Sequence, residues 1–231
     1  MEQIKLEKVT ESLFVYQKKG VFSYGTDAVA LFNYVKNDLK NNTSKKTMCD
    51  LCSGTGIIPL MLCDSIKNLS AHAVEINETA YSLSQLSAEK SKLTDRFTAH
   101  HDDINNIRNI FTPEQFDFIT CNPPYMTNNC GKMCDYDYKT IARHEIYCTI
   151  DDVFKSASYL LRTGGNIYIV YRAERLSSLF KAAENNNFQI KDICAIVTKE
   201  LPSVVKLIVC KAQKGANEGL ILSACDIQNL R

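Results

Sequence analysis

Tryptophan is absent, and the 231 residues include only five prolines and nine glycines. That scarcity excludes collagen-like repeats and Gly/Pro-rich linkers, and no other low-complexity tract or internal repeat stands out. Long apolar runs are missing too: nothing approaches the roughly 18 uncharged apolar residues of a membrane-spanning helix. The opening stretch MEQIKLEKVTESLF contains acids and no continuous apolar segment, so no secretion signal is expected. A soluble, cytoplasmic protein follows as the expectation, with no membrane contact and no obligatory protein partner. Charge of one sign is also lacking. With 27 Lys and Arg against 26 Asp and Glu, the net charge is +1. A polyanion would have to be met by local patches rather than by a global field.

What is present is an ordinary globular composition, 45% apolar and 23% charged. Ten cysteines are scattered through it without an export signal, so they read as buried, reduced thiols rather than a disulfide framework. From Lys46 onward, short apolar runs alternate with longer segments of helical period, the mark of repeated βα units on a mainly parallel sheet. Strands are expected near Thr47–Leu51, Ala71–Glu75, Phe97–His101, Phe116–Cys121 and Asn166–Tyr171. Helices are expected over Ile57–Ser65, Glu78–Lys92, Ile150–Leu161 and Glu174–Asn186. The glycines of RTGGNIYIVY are read as the turn between the helix ending near Leu161 and the next strand. The runs FQIKDICAIV and VVKLIVCKA are separated only by TKELPS, too short for a helical crossover, so they should pair antiparallel. Residues 1–45 read as an N-terminal cap: two extended pieces turning at Lys19–Gly20, then an amphipathic helix from Thr26 to Lys36. Residues 46–231 form the main domain.

MCDLCSGTGIIPL places Asp50 at a strand end, Gly54 and Gly56 in the turn, and a helix after them. Glycine lets backbone approach a ligand, and the helix N-terminus offers free N–H groups. Alone, such a turn also serves as a plain βα connection. Glu75, closing AHAVE, lies at about the spacing where a carboxylate meets ribose hydroxyls, and Asp103 follows the next strand. Acids at successive strand ends make a nucleoside site. Pro59 stands where the third glycine of a dinucleotide fingerprint would fall, so a smaller cofactor fits better.

The fourth strand leaves by TCNPPYMTNN, on the same rim. Two prolines fix φ, carry no N–H and restrict the residues before them, so Asn122 and nearby carbonyls are held rigid and extended. An exocyclic amine beside a π system is a poor nucleophile. Two acceptors, the Asn122 amide oxygen and the Pro123 carbonyl, could bind its hydrogens and favour a pyramidal nitrogen, with Tyr125 stacking on the base. Cys121 adjoins this turn, but a thiolate nucleophile is needed for methylation at ring carbon, so it reads as a packing residue.

DLCSGTGIIPL, VEIN, DDI and NPPY resemble the successive motifs of class I S-adenosylmethionine-dependent amino-methyltransferases acting on adenine N6, cytosine N4, guanine N2 or the glutamine amide. NPPY alone does not choose among them. FSYGTDAVAL, KTIARHEI and YLLRTGGNIYIVYRAERLSSLF add a closer resemblance to the bacterial valine-tRNA adenine-N6 methyltransferase family, particularly its Gram-positive branch, over about residues 12 to 222. The resemblance implies a Rossmann-like α/β fold with a seven-stranded, mostly parallel sheet and one antiparallel strand. It also implies methyl transfer from S-adenosylmethionine to the adenine beside the anticodon, position 37, of a valine tRNA. By the same resemblance Asp50, Cys52, Gly54, Gly56, Glu75, Ile76, Asp103 and Ile104 would hold the cofactor. Asn122, Pro123, Pro124 and Tyr125 would form the catalytic turn. Cys52 and Ser53 stand where many relatives have Gly and Thr. The rival readings are another amino substrate, in ribosomal RNA, DNA or a protein glutamine, and a non-catalytic module binding the cofactor and RNA.

More than twenty residues separate Tyr125 from the helix near Ile150, a length that is usually functional. Within them Lys139, Arg143 and His144, with Tyr136 and Tyr138, suit stacking on unpaired bases and pairing with phosphate. Lys18 and Lys19 in the N-terminal turn could also reach tRNA. Cys130, Cys134, His144 and Cys148 are zinc-ligand types, but C-x3-C is permissive, and no metal is expected. His100 and His101 show no partner in the sequence and receive no role.

Overall fold

The computed structural model describes residues 4–18, 24–124, 148–197 and 204–226. Two strands open the chain, β1 (Ile4–Lys8) and β2 (Phe14–Lys18), followed by α1 (Thr26–Leu39). Then come β3 (Lys46–Leu51), α2 (Ile57–Ser65), β4 (Leu69–Glu75), α3 (Glu78–Lys90) and β5 (Phe97–His101). A short helical turn α4 (Ile107–Ile110) leads to β6 (Phe116–Cys121). The last elements are α5 (Ile150–Leu160), β7 (Leu161–Arg172), α6 (Leu176–Asn185), β8 (Phe188–Val197), β9 (Leu207–Lys214) and β10 (Ile221–Asp226).

Among the described residues the main sheet has eight strands in the order β10-β8-β9-β7-β6-β3-β4-β5. Only β9 runs against its neighbours, pairing antiparallel with β7 and β8, and the other pairings are parallel. The expected terminal hairpin is therefore present. The count is eight rather than seven because β10 adds at the edge beside β8. It is joined through backbone pairing and leaves Ile221 and Leu222 64% and 73% exposed. A strand that buries so little carries no apolar alternation to announce it.

One other expectation changes, and the expected turn at Lys19–Gly20 lies outside the described residues. β2 pairs with the upstream IKLEK segment, Ile4 opposite Lys18, around a turn closed by Val9 N donating to Leu13 O at 2.9 Å. β1 is mostly exposed, so its sequence is mixed rather than alternating. The glycines of RTGG lie inside β7 rather than before it. Between β6 and β7 the pairing jumps from Phe116↔Leu161 to Phe118↔Asn166, and the extra residues form an irregularity. Gly164 there has φ 81°, and a Cβ on Gly165 would stand 2.9 Å from Arg162 O.

Both faces of the sheet are covered, which is why β7 reads as a continuous apolar run. Tyr168 and Val170 belong to the core shared with α1 and α2, while Ile167, Ile169 and Tyr171 face the core that includes Phe154 of α5 and Leu179 of α6. The buried Tyr168 hydroxyl donates to Asp38 Oδ2 at 2.6 Å, and Lys211 pairs with the same carboxylate at 2.8 Å, tying α1 to β7 and β9. The hairpin docks on α3: the backbone N–H groups of Phe14 and Tyr16 donate to the hydroxyls of Ser91 and Ser87 at 2.9 Å each. β2 thus climbs α3 toward its N-terminus.

Candidate active site

The chain passes from β3 outward to β4 and β5, then returns to place β6 on the other side of β3. The strand order reverses between β3 and β6, and their carboxyl ends flank the crevice where open α/β sheets take ligands. Asp50 lies opposite Thr120 and Leu51 opposite Cys121, so the loops Cys52–Gly56 and Asn122–Pro124 emerge side by side.

The first loop bends through three left-handed residues, Cys52 (φ 56°), Gly54 (φ 57°) and Gly56 (φ 74°). Cys52 thus adopts a backbone conformation that suits glycine. A Cβ on Gly56 would lie 2.9 Å from Ser84 Cβ and 3.2 Å from Phe97 Cζ, so this glycine is required by the packing of α2 on α3 and β5. Gly54 differs: among the described residues nothing would come within 4 Å of its Cβ. The turn therefore presents bare backbone to open space. Asp50 supports it from below. Contrary to the expectation of a carboxylate facing the crevice, Asp50 is buried and accepts from the hydroxyls of Ser53, at 2.6 Å, and Thr120. Burial raises its pKa to about 7, opposed by those two hydrogen bonds and assisted by the nearby Glu75 charge. Ser53 and Thr120 were not anticipated, and only their place beside a strand-end acid could have suggested them.

Glu75 ends β4 and clamps both neighbouring loops. Its Oε2 accepts from Gly54 N at 2.7 Å and its Oε1 from Asn77 N at 2.8 Å. Each oxygen keeps a further lone pair for a hydroxyl ligand. Ile76 follows with its side chain 39% exposed, an apolar surface on the rim. His101, which sequence left without a partner, holds this corner through its Nε2 at 3.0 Å from Ile76 O and by stacking on Tyr81. Asp103 caps the following turn, accepting from Asn105 N at 2.8 Å, while Asp102 N donates to Glu75 O. Ile104 instead turns into the core, 5% exposed.

On the opposite lip, Asn122 is half-buried and Pro123 buried. The Asn122 Nδ2 donates to Asp27 Oδ2 at 3.2 Å, and Asp27 Oδ1 accepts from Ala28 N at 2.8 Å. A carboxylate accepts only, so the amide must turn its NH2 toward Asp27 and its oxygen the other way. Asp27, in the first turn of α1, is a residue missed from the sequence, although it sits inside the family-like FSYGTDAVAL stretch. Cys121 is fully buried, and burial raises its pKa, consistent with a packing role. The Cys148 sulfur lies 3.5 Å from that of Cys52. Among the described residues no cluster of three or more His, Cys, Asp or Glu could hold a metal ion. Lys18 ends β2, which runs along α3 toward the N-terminal end of that helix. Lys19, Tyr125, Cys130, Cys134, Lys139, Arg143 and His144 lie outside the described residues.

This arrangement defines an open α/β protein with the class I S-adenosylmethionine-dependent methyltransferase fold. A predicted O-methyltransferase of Agrobacterium tumefaciens superposes with a TM-score of 0.66 at 16% identity, over 87% of this chain and 86% of that one. Geranyl diphosphate C-methyltransferase of Streptomyces coelicolor gives 0.57 at 11%, over 80% and 79%. The methyltransferase small domain model matches residues 12–190, and the chain belongs to that family. Among curated relatives, the tRNA1(Val) (adenine(37)-N6)-methyltransferase of Cytophaga hutchinsonii is 28% identical over 64% of this chain and 61% of its own length. The protein of the same name from Histophilus somni is 28% identical over 84% of this chain and 78% of its own. The match spans just under two thirds of the length of the Cytophaga relative and of the Aliivibrio fischeri relative, 61% and 66%. These similarities support the family and not the expected Gram-positive branch.

Proposed function

We propose that this protein transfers the methyl group of S-adenosylmethionine to N6 of an adenine in tRNA, the adenine at position 37 of a valine tRNA. The observation that carries the reading is the Asn122 amide, held by Asp27 on one lip of the switch-point crevice while the bare Gly54 turn and Glu75 form the other. The open space above Gly54 fits a cofactor that approaches backbone closely, and the names of the relatives supply the substrate. A tRNA substrate also puts the protein in the cytoplasm.

When bound, S-adenosylmethionine supplies a methyl group activated on sulfonium. The protein's own part is positioning. Glu75 binds hydroxyls with its spare lone pairs, Ile76 offers an apolar surface to a base, and Asp103 lies at the third strand end. Across the crevice, the Asn122 Oδ1 and the Pro123 carbonyl accept the two hydrogens of the target amine, directing its lone pair at the methyl carbon. The prolines keep those acceptors from relaxing away, and Tyr125 follows them as the stacking group. The cofactor, held beside Gly54 and Glu75, would supply the methyl group and leave as its neutral thioether, and the amine held by Asn122 and Pro123 would release one hydrogen as a proton to solvent.

Mass spectrometry of nucleosides from individual tRNAs, in cells with and without this protein, tests the reading. N6-methyladenosine vanishing from the valine tRNA alone is expected, and an unchanged tRNA complement would refute it. In vitro, Asn122→Ala should lower kcat about 100-fold or more by removing one acceptor, with cofactor affinity preserved.

A further inference from the structure

Holding one adenine at Asn122 requires that the flanking RNA lie against the surface beside the crevice. On the β4 and β5 side of β3, the rim carries Glu75, Ile76 and Asp103, the cluster assigned to the cofactor nucleoside. The strand ends on the other side of β6, those of β7 and β9, lie away from that cluster. There β7 continues past Ile169, the residue opposite Cys121, to end at Arg172 opposite Leu207. At that end lies a cavity of about 520 Å³ lined by Arg172, Ala173, Glu174, Val204, Val205 and Lys206. Its walls are joined by Ala173 N donating to Lys206 O at 3.1 Å.

The recess is open to solvent, as a nucleotide of a longer chain would require, and its chemistry is mixed. Two long cations, Arg172 and Lys206, stand with one carboxylate, Glu174, and two valines, of which Val204 is 63% exposed. The helical run that continues into α6 begins here, so the positive ends of its peptide dipoles add to the cations. Neighbouring strands are about 4.8 Å apart, which sets the β9 side about 10 Å from the β6 lip. A nucleotide adjoining the target base reaches that far.

We propose that this cavity is a subsite for a nucleotide flanking the target adenine, Arg172 and Lys206 pairing with its phosphate and Val204 lying against its base or sugar. The subsite rests on the reading of Asn122 as the target-base site. It answers how a chain of net charge +1 engages a polyanion: by a local pair of cations beside the crevice.

The test uses the full chain and a valine tRNA transcript, with equilibrium binding and steady-state methyl transfer measured separately. The Arg172→Gln/Lys206→Gln double variant should raise both the tRNA Kd and the KM for tRNA about tenfold, with a smaller effect on kcat. The slope of log K against log salt should become shallower by about 1.4, the value for two phosphate contacts on single-stranded nucleic acid. Glu174→Gln, which removes the opposing charge, should tighten tRNA two- to threefold, about the effect of one weakened repulsion, an outcome that misfolding cannot produce. An unchanged Kd and salt slope in the double variant, or no tightening in Glu174→Gln, overturns the subsite. If the wild type binds tRNA but transfers no methyl group, the reading of Asn122 fails, while the binding measurements still decide for or against the cavity.

Discussion

At the scale of single residues, the site depends on groups that act through others. Asp27 never needs to touch a substrate: by taking the Asn122 NH2 it determines which way the amide oxygen faces. Asp27→Ala should lower kcat about tenfold to a hundredfold while leaving cofactor Kd unchanged, because misplacement of a catalytic group costs rate rather than cofactor affinity. Asp27→Asn, whose oxygen still accepts, should recover most of that loss. The two turn glycines make a contrasting pair. Gly56→Ala forces a Cβ against Ser84 and Phe97 at φ 74° and should destabilise the fold by about 1–3 kcal/mol, read by thermal unfolding. Gly54→Ala meets no such wall and should cost less stability, about 1 kcal/mol. Its methyl projects into the open cradle, so cofactor Kd should rise by more than it does in Gly56→Ala. The motif GTG was legible in sequence, but not that one glycine serves packing and the other leaves space. That distinction comes from Ser84 and Phe97, which reach Gly56 from elsewhere in the chain.

At the scale of elements, boundaries followed local chemistry wherever a cap or a strong period marked them. α5 starts at a capping box, with Thr149 Oγ1 accepting from Asp152 N at 3.2 Å and Asp152 Oδ2 accepting from Thr149 N at 2.9 Å. Thr149→Ala should cost about 1 kcal/mol, a fall in thermal midpoint of about 3 °C. This helix packs beside the crevice, and its Ser156 hydroxyl donates to Ile104 O at 2.9 Å, so the cap also steadies the Asp103 corner. β1 and β10 were missed because each buries too little to be patterned, and both are held by backbone pairing with a strand whose position is set independently. The RTGG glycines were misassigned for the opposite reason: glycine before a strand signals a helix end, and nothing local says that the strand has already begun and bulges.

At the scale of the whole molecule, sequence-distant groups meet and change each other's chemistry. His72 and His100, on adjacent strands β4 and β5, have ring nitrogens 2.9 Å apart and contact Phe111. Burial, then the neighbouring His100, lowers the His72 pKa to about 4, and burial lowers that of His100. The pair is neutral when folded. Its contribution is therefore complete above the unfolded value of 6.5 and is lost as pH falls through about 4. Discounted for partial exposure, that is about 1–2 kcal/mol, and the thermal midpoint should drop over this window. His72→Phe should flatten the drop, and an unflattened profile would assign acid sensitivity elsewhere. By itself the sequence determined the βα alternation, the single reversed strand, the glycine turn with its acids, and the NPP exit, because each is written in contiguous residues. Tertiary structure alone decided that Asp50 lies beneath the turn, that Asp27 orients Asn122, and that Arg172 and Lys206 line one recess. Those pairings join positions that only strand order brings together, and no spacing along the chain encodes that order.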